Sequence, residues 1–510
     1  MKIIKENISN MTQTTAMQLT DIKTLGQLKK NGYTPKSIQD ELRSNLIHKL
    51  QNNIPVFEGI IGYEDTVIPD IERAILSGHS INLLGLRGQA KTRIARMMVN
   101  LLDEYIPYIS GSEINDDPYN PISSFGRITL SEMGDNTEIS WLHRSERYIE
   151  KLATPDVSVA DLIGDLDPVK AINQKLSYSD EKAIHFGLIP RSNRCIFVIN
   201  ELPDLQARIQ VALFNILQEG DIQIRGFKLR LPLNIQFIFT ANPEDYTNRG
   251  SIVTPLKDRI GSQIITHYPK DIETAGNITR QEAKLKPAQK QIVAISPILE
   301  RTIEHIVAEA RTSEFVDAKS GVSARLSISA YEILISAAER RTLISGDKDT
   351  FVRVSDLSAL IPAITGKVEM VYEGEMEGPL KVAQNLIGKA IKNSFAENCP
   401  PLEKFKKKGN DSTNPYKHIM NWFDDGKHLD LGINASNNDY EKTLNSIVAL
   451  REFADMHFSK YNADEQLLLM ELVLFGLSEN SKLSKTSIDK HITFKDLLGS
   501  MFTGFSDNNS

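Results

Sequence analysis

The chain has 510 residues, with 59 Lys+Arg against 66 Asp+Glu and a formal net charge of -7. At roughly 100–200 residues per domain, that length gives about three domains, and 41% hydrophobic with 25% charged residues excludes wholesale disorder. The acidic balance offers no general attraction to nucleic acid or an anionic membrane. The two cysteines, Cys195 and Cys399, exclude a disulfide scaffold and fit a cytoplasmic protein.

The first residues, MKIIKENISNMTQTT, lack the apolar core of a secretory signal. They read as a disordered lead, with Met11 or Met17 as alternative starts. Residues 1–50 form a polar N-terminal helical lead in which Leu42, Leu46 and Leu50 keep helical spacing. From 51 to 275 short β-rich runs alternate with amphipathic stretches. The runs are INLL (81–84), CIFVI (195–199), IQFIF (235–239) and QIITHY (263–268). Ile94, Met97, Met98, Leu101 and Leu102 share one helical face, as do Leu202, Leu205, Ile209, Leu213, Ile216 and Leu217. This alternation predicts an α/β fold with a parallel sheet flanked by helices. Residues 276–400 read as a helical lid, with Leu326, Ala330, Ile333, Leu334 and Ala337 in register. Residues 401–510 read as a C-terminal helical extension that opens on a polar loop, KKKGNDSTNP (406–415). No run reaches the roughly 18 apolar residues of a membrane span. Leu467 to Leu477 comes nearest, is interrupted by Glu471, and reads as a buried helix.

The sharpest motif is GLRGQAKT, Gly85 to Thr92. It follows a predicted strand and opens a predicted helix, as a phosphate-binding P-loop requires. Backbone N–H groups of Arg87, Gly88, Gln89, Ala90 and Arg93 are placed to face phosphate oxygens. Lys91 is placed for the β- and γ-phosphates of ATP, and Thr92 for Mg²⁺. Ala90 stands where the usual pattern has Gly; a positive φ there costs energy, a helical φ does not. The run CIFVINE ends in Asn200 and Glu201. Such an acidic strand end holds the metal and polarises the attacking water. Asn200 replaces the usual Asp, keeping an acceptor oxygen and losing the charge. Thr92, Asn200 and Glu201 are therefore the candidate metal ligands, with Asp204 one helical turn on. A third strand, IQFIFTAN, places Asn242 at its tip, where a polar side chain reaches the γ-phosphate or the water.

In that order the motifs resemble an AAA+ ATPase, and more narrowly its magnesium chelatase I-subunit and MoxR-like branch. The resemblance rests on residues 185–246 and on PLKDRIGS (255–262), and covers about 55–370. It implies a P-loop AAA+ parallel sheet followed by an all-helical lid. GIIGYEDTVI (59–68) is similar to the family's segment against the nucleotide base, which implies Ile61 and Gly62 in cofactor binding. It also implies Asn242 as sensor 1, Arg259 as an arginine finger with Arg249 as its rival, and Arg325 as sensor 2. Residues 161–187 match an insert ending in a hairpin, and 221–233 a second hairpin carrying Arg225, Lys228 and Arg230. The implied protein is an ATP hydrolase that works with Mg²⁺ in a ring, expected as a hexamer, on a partner. That partner is either the remainder of a magnesium chelatase or, as a MoxR-like chaperone client, a protein with a von Willebrand A-type domain. The alternative is a nucleotide-gated switch with little hydrolysis, suggested by Asn200 and Ala90. A sigma-54-type activator lacks its required loop and DNA-binding helices here, which leaves nucleic acid an unexpected partner. Cys195, inside an apolar run, reads as inert core.

Overall fold

A computed structural model of the chain describes residues 20–173, 175, 181–223, 230–243, 251–402, 414–488 and 491–497. Two compact units divide it, Met1–His267 and Tyr268–Ser510. The expected lead at 1–15, its alternative starts, the turn with Arg225 and Lys228, Arg249, and most of the 406–415 loop lie outside the described residues.

The first unit is built on five strands: β1 (Ile81–Leu84), β2 (Tyr148–Leu152), β3 (Ile196–Asn200), β4 (Gln236–Ala241) and β5 (Ser262–Ile265). Their order across the sheet is β5-β1-β4-β3-β2, and every neighbouring pair is parallel. All the C-terminal strand ends therefore share one edge. The continuous apolar runs of the three central strands are explained by burial on both faces. Ile81, Leu83, Ile196, Val198 and Ile238 face one core, with α1 (Ile38–Gln51), α2 (Val67–Leu76) and α3 (Lys91–Met97). Phe197, Ile199, Phe237 and Phe239 face the other, with α4 (Ala207–Glu219) and α5 (Thr254–Arg259).

The N-terminal helix α1 packs within this unit. Leu42 and Leu46 are buried in the first core, while Leu50, expected on the same face, is exposed. A buried ion pair fixes it further. Both Nη atoms of Arg147 donate to Glu41 at 2.6 Å, and the Asp103 N–H donates to the same carboxylate at 2.6 Å. An antiparallel pair falls within each of the two segments expected as insertions. Gly164–Leu166 pairs with Ile184–Phe186, and Asp221–Gln223 pairs with Arg230–Pro232 at the base of the second hairpin.

The second unit is mainly helical. Its core runs from Val293 to Phe494, so packing shows no break at the boundary expected near 400. The expectation of purely helical structure is corrected by a three-stranded antiparallel sheet, Leu429–Gly432, Ser484–Ile488 and His491–Lys495. A separate two-residue parallel pair, Val293–Ala294 with Thr350–Phe351, also lies in this unit. These strands are short and polar on one side, which hides their period. Helices α6 (Arg325–Ser345) and α7 (Ala463–Glu479) belong to this unit. The apolar run of α7 is buried as expected, and Glu471 within it has a structural reason. It accepts from the N–H groups of Val354 (2.7 Å) and Ser355 (3.1 Å) and from the Tyr440 hydroxyl (2.9 Å). Arg353 lies 4.0 Å over the Tyr440 ring and donates to the Ala435 carbonyl at 3.0 Å. The segment after 414 is thereby bonded into the body of the second unit. Among the described residues no helix is long and apolar enough to cross a membrane.

Candidate functional site

The site lies at the C-terminal edge of the sheet, where β1 sits between β4 and β5 and the chain path reverses. Parallel sheets place ligands at such a point. The loop leaving β1 is held from both sides. The Gly85 N–H donates to the Ala241 carbonyl at 3.1 Å. A Cβ at Gly85 would overlap Thr266 Oγ1 and Gln89 Oε1, so only glycine fits. Gln89 is buried and accepts from Thr266 Oγ1 at 2.6 Å. Tyr63 donates to the Gln89 carbonyl at 3.1 Å and to the His267 carbonyl at 2.7 Å, which ties the segment holding Ile61 and Gly62 to the loop.

Gly88 has φ +74° and Ala90 φ +57°. Ala90 is thus in the left-handed region, where a Cβ costs about 1–2 kcal/mol. It caps α3 without any side-chain hydrogen bond, which leaves the first N–H groups of the helix to the loop and to what the loop binds. Replacing Ala90 with glycine is expected to raise stability by about 0.5–1 kcal/mol, after the larger entropy of the unfolded glycine chain. Thermal melting of the nucleotide-free chain checks this; an unchanged or lower melting temperature contradicts it.

Side chains from three chain segments meet beside this loop. Lys91 Nζ donates to the Gly85 carbonyl, to the Leu86 carbonyl at 2.9 Å and to Asn242 Oδ1 at 2.8 Å. Thr92 Oγ1 lies 3.4 Å from Asn200 Oδ1. Thr240 joins the strand ends: its hydroxyl donates to Asn200 Oδ1 at 3.0 Å and accepts from the Glu201 N–H at 3.1 Å. Glu201 stands just past β3 with φ +57° and ψ +48°. For a residue without the local bonding of Asn or Asp this is unusual, and such strain gathers at functional sites. Asp204 follows in a short 3₁₀ turn, Leu202–Asp204.

Arg87 and Arg93 are exposed on the loop and on α3. Arg259 does not join the cluster. It is exposed at the end of α5, pairs with Asp258, and its guanidinium lies 5.6 Å over the Phe214 ring. Arg325 is exposed and opens α6 in the second unit. Arg249 lies outside the described residues. One residue of the cluster was not expected from the sequence: Glu150, which accepts from Asn200 Nδ2 at 2.5 Å. A glutamate inside the short run YIEKL carries no motif of its own. Cys195 is buried, and burial pushes its thiol up to about 12, which fits an inert core residue.

A five-stranded parallel sheet with a P-loop after β1, polar ends on β3 and β4 and a helical C-terminal unit has the fold of an AAA+ ATPase. Comparison with known proteins narrows this. The chain is similar in sequence to the magnesium-chelatase 38 kDa subunit. It is 27% identical over 237 residues to that subunit from Cereibacter sphaeroides, a match covering 44% of this chain and 63% of the relative. It is also 27% identical over 228 residues to that of Rhodobacter capsulatus, covering 44% and 59%. The chain thus spans less than two-thirds of the length of these relatives. No family model matches it. Among solved structures, a complex of magnesium-chelatase subunits BchI and BchD aligns at 19% identity over 68% of this chain and 96% of that one, with a TM-score of 0.33. NtrX from Brucella abortus in complex with ATP aligns at 16% identity over 69% and 67%, with a TM-score of 0.38.

Proposed function

We propose that this chain binds ATP with Mg²⁺ and hydrolyses it in a ring of its own copies, to remodel or activate a partner protein. The observation that carries this is the convergence of Lys91 with Asn242 and of Thr92 with Asn200, pairs separated by 151 and 108 residues in the chain. The loop amides around Gly88 and Ala90 hold the phosphates, and Lys91 exchanges its carbonyl partners for the β- and γ-phosphate oxygens. Asn242, the side-chain partner of Lys91, orients the γ-phosphate and the attacking water. Glu201 takes the proton of that water on its carboxylate as the water oxygen bonds to the γ-phosphorus and the bond from that phosphorus to the bridging oxygen breaks, releasing phosphate and ADP. The oxygens that would hold the metal are the Thr92 hydroxyl and the Asn200 amide oxygen beside it, with the Glu201 carboxylate from the next residue; an all-oxygen set suits a hard divalent cation. Mg²⁺, when bound, neutralises charge on the phosphate oxygens.

Arg259 acts from a neighbouring copy, its exposed guanidinium meeting the charge that develops on the γ-phosphate. Turnover per chain is therefore expected to rise with protein concentration, and Arg259→Ala to lower the assembled rate by roughly 10³-fold or more. Measuring ATP turnover against concentration, with assembly followed by light scattering, tests this. A rate per chain that stays flat down to demonstrable monomer contradicts it. Arg325 is assigned the sensor role in the lid, and Ile61 and Gly62 the contact with the base. Among partners, a MoxR-like role on a protein with a von Willebrand A-type domain is preferred over chelation, because the second unit continues well past the residues that carry the resemblance.

A second reading, a nucleotide-gated switch with slow turnover, is favoured by two observations: the uncharged Asn200 and the left-handed Ala90.

A further inference from the structure

We propose that Glu150 is a positioning residue that, together with Asn200, replaces the single carboxylate expected at the end of β3. This inference rests on the Mg²⁺–ATP reading above. Glu150 is on β2, whose register sets Glu150 beside Val198 and Leu152 beside Asn200. Asn200 Nδ2 donates to Glu150 Oε1 at 2.5 Å. An amide has its donor and acceptor on opposite sides. With Nδ2 committed to a carboxylate, Oδ1 turns to the other side, toward Thr240 Oγ1 at 3.0 Å and Thr92 Oγ1 at 3.4 Å. The charge-assisted bond is stronger than one between neutral groups. It both fixes the amide and draws electron density onto Oδ1, the atom facing the candidate metal position.

The carboxylate is itself held. Glu150 Oε2 accepts from Arg96 Nε at 3.0 Å, from Arg96 Nη2 at 2.9 Å and from the Tyr148 hydroxyl at 3.0 Å. Arg96 is on α3, the helix that begins with Lys91 and Thr92. The competing view is that Glu150 serves only its ion pair with Arg96. That pair is mostly solvent-exposed on the arginine side, at 64%, and exposed pairs contribute little. It also leaves the short bond to Asn200 without a purpose.

Asn200→Asp alone would set two carboxylates against each other, and like charges at this distance oppose ionisation of both. It is therefore expected to bind metal no better than the unaltered chain. Adding Glu150→Gln restores an N–H donor toward the new aspartate, so the exchanged pair should recover what each single change loses.

The test uses Mn²⁺ in place of Mg²⁺, with a non-hydrolysable ATP analogue and metal affinity read by electron paramagnetic resonance. Glu150→Gln is expected to weaken Mn²⁺ binding by about 10–100-fold, the usual cost of losing an outer partner of a metal ligand. Arg96→Gln should weaken it far less, and the exchanged pair should recover most of the loss. Melting curves of the metal-free variants show whether each is folded. If Glu150→Gln does not fold, the comparison of Asn200→Asp with the exchanged pair reads the same coupling. The inference is overturned if Glu150→Gln leaves Mn²⁺ affinity unchanged, if Arg96→Gln costs as much, or if the exchanged pair is no better than the worse single variant. Failure of the unaltered chain to bind the analogue overturns the functional reading itself. Normal analogue binding with an unmoved metal affinity overturns only the role of Glu150.

Discussion

Replacing Lys91 with alanine is expected to weaken ATP binding and turnover together, by roughly 10²–10³-fold, the scale of losing one preorganised donor to developing charge. The reason is local. Lys91 is the cation at which the loop carbonyls of Gly85 and Leu86 and the tip of β4, through Asn242, meet. Alanine leaves nothing that reaches from α3 to the γ-phosphate position. The fold should survive, because Lys91 is half-buried and the loop is also anchored by Gly85 to Ala241 and by Tyr63 to Gln89. Calorimetric titration with Mg²⁺–ATP, beside a melting curve, checks both parts. Unaltered affinity in a folded variant would remove the P-loop from the mechanism.

The second large effect separates binding from chemistry. Glu201→Gln is expected to keep ATP affinity near that of the unaltered chain while lowering turnover by about 10²–10⁴-fold, the usual contribution of a positioned general base. Its backbone is fixed independently of its carboxylate, by the N–H donated to Thr240, so the neutral isostere should sit in the same left-handed conformation. Single-turnover kinetics with excess protein read the chemical step directly. A variant that hydrolyses at the unaltered rate would move the base elsewhere; Asp204, on the following turn, is the next carboxylate in the chain.

Much of the sheet was legible because β1, β3 and β4 are buried on both faces and so read as unbroken apolar runs. β5, at one sheet edge, kept enough apolar residues around the buried Ile264 to be read as well. β2 was not legible, since YIEKL has neither an unbroken apolar run nor a strict alternation and carries Glu150 and Lys151. It lies at the opposite edge, beside β3 alone, where polar side chains are tolerated. The ends of β1, β3 and β4 drew notice in the sequence because a phosphate-binding reading looks for particular residues there. Their supports did not. The partners of Asn200 and Glu201 come from β2 and β4, tens of residues away, and a hydrogen bond between distant segments leaves no periodic trace. The same holds for Glu41 with Arg147 and for Glu471 with the turn at Val354, each of which bonds a terminal region into a unit that sequence spacing had set apart. Whether Ala90 is strained was also open in the sequence, because the amino acid does not fix φ. The structure answers it with +57°.

The most direct measurement is a calorimetric titration of the Glu201→Gln chain with Mg²⁺–ATP, repeated with Lys91→Ala added to the same background. One saturable binding event that vanishes with the lysine is the expected result. Equal binding in both proteins, or none in the first while it is folded, would mean that the cluster of Lys91, Thr92, Glu201 and Asn242 does not grip a nucleotide.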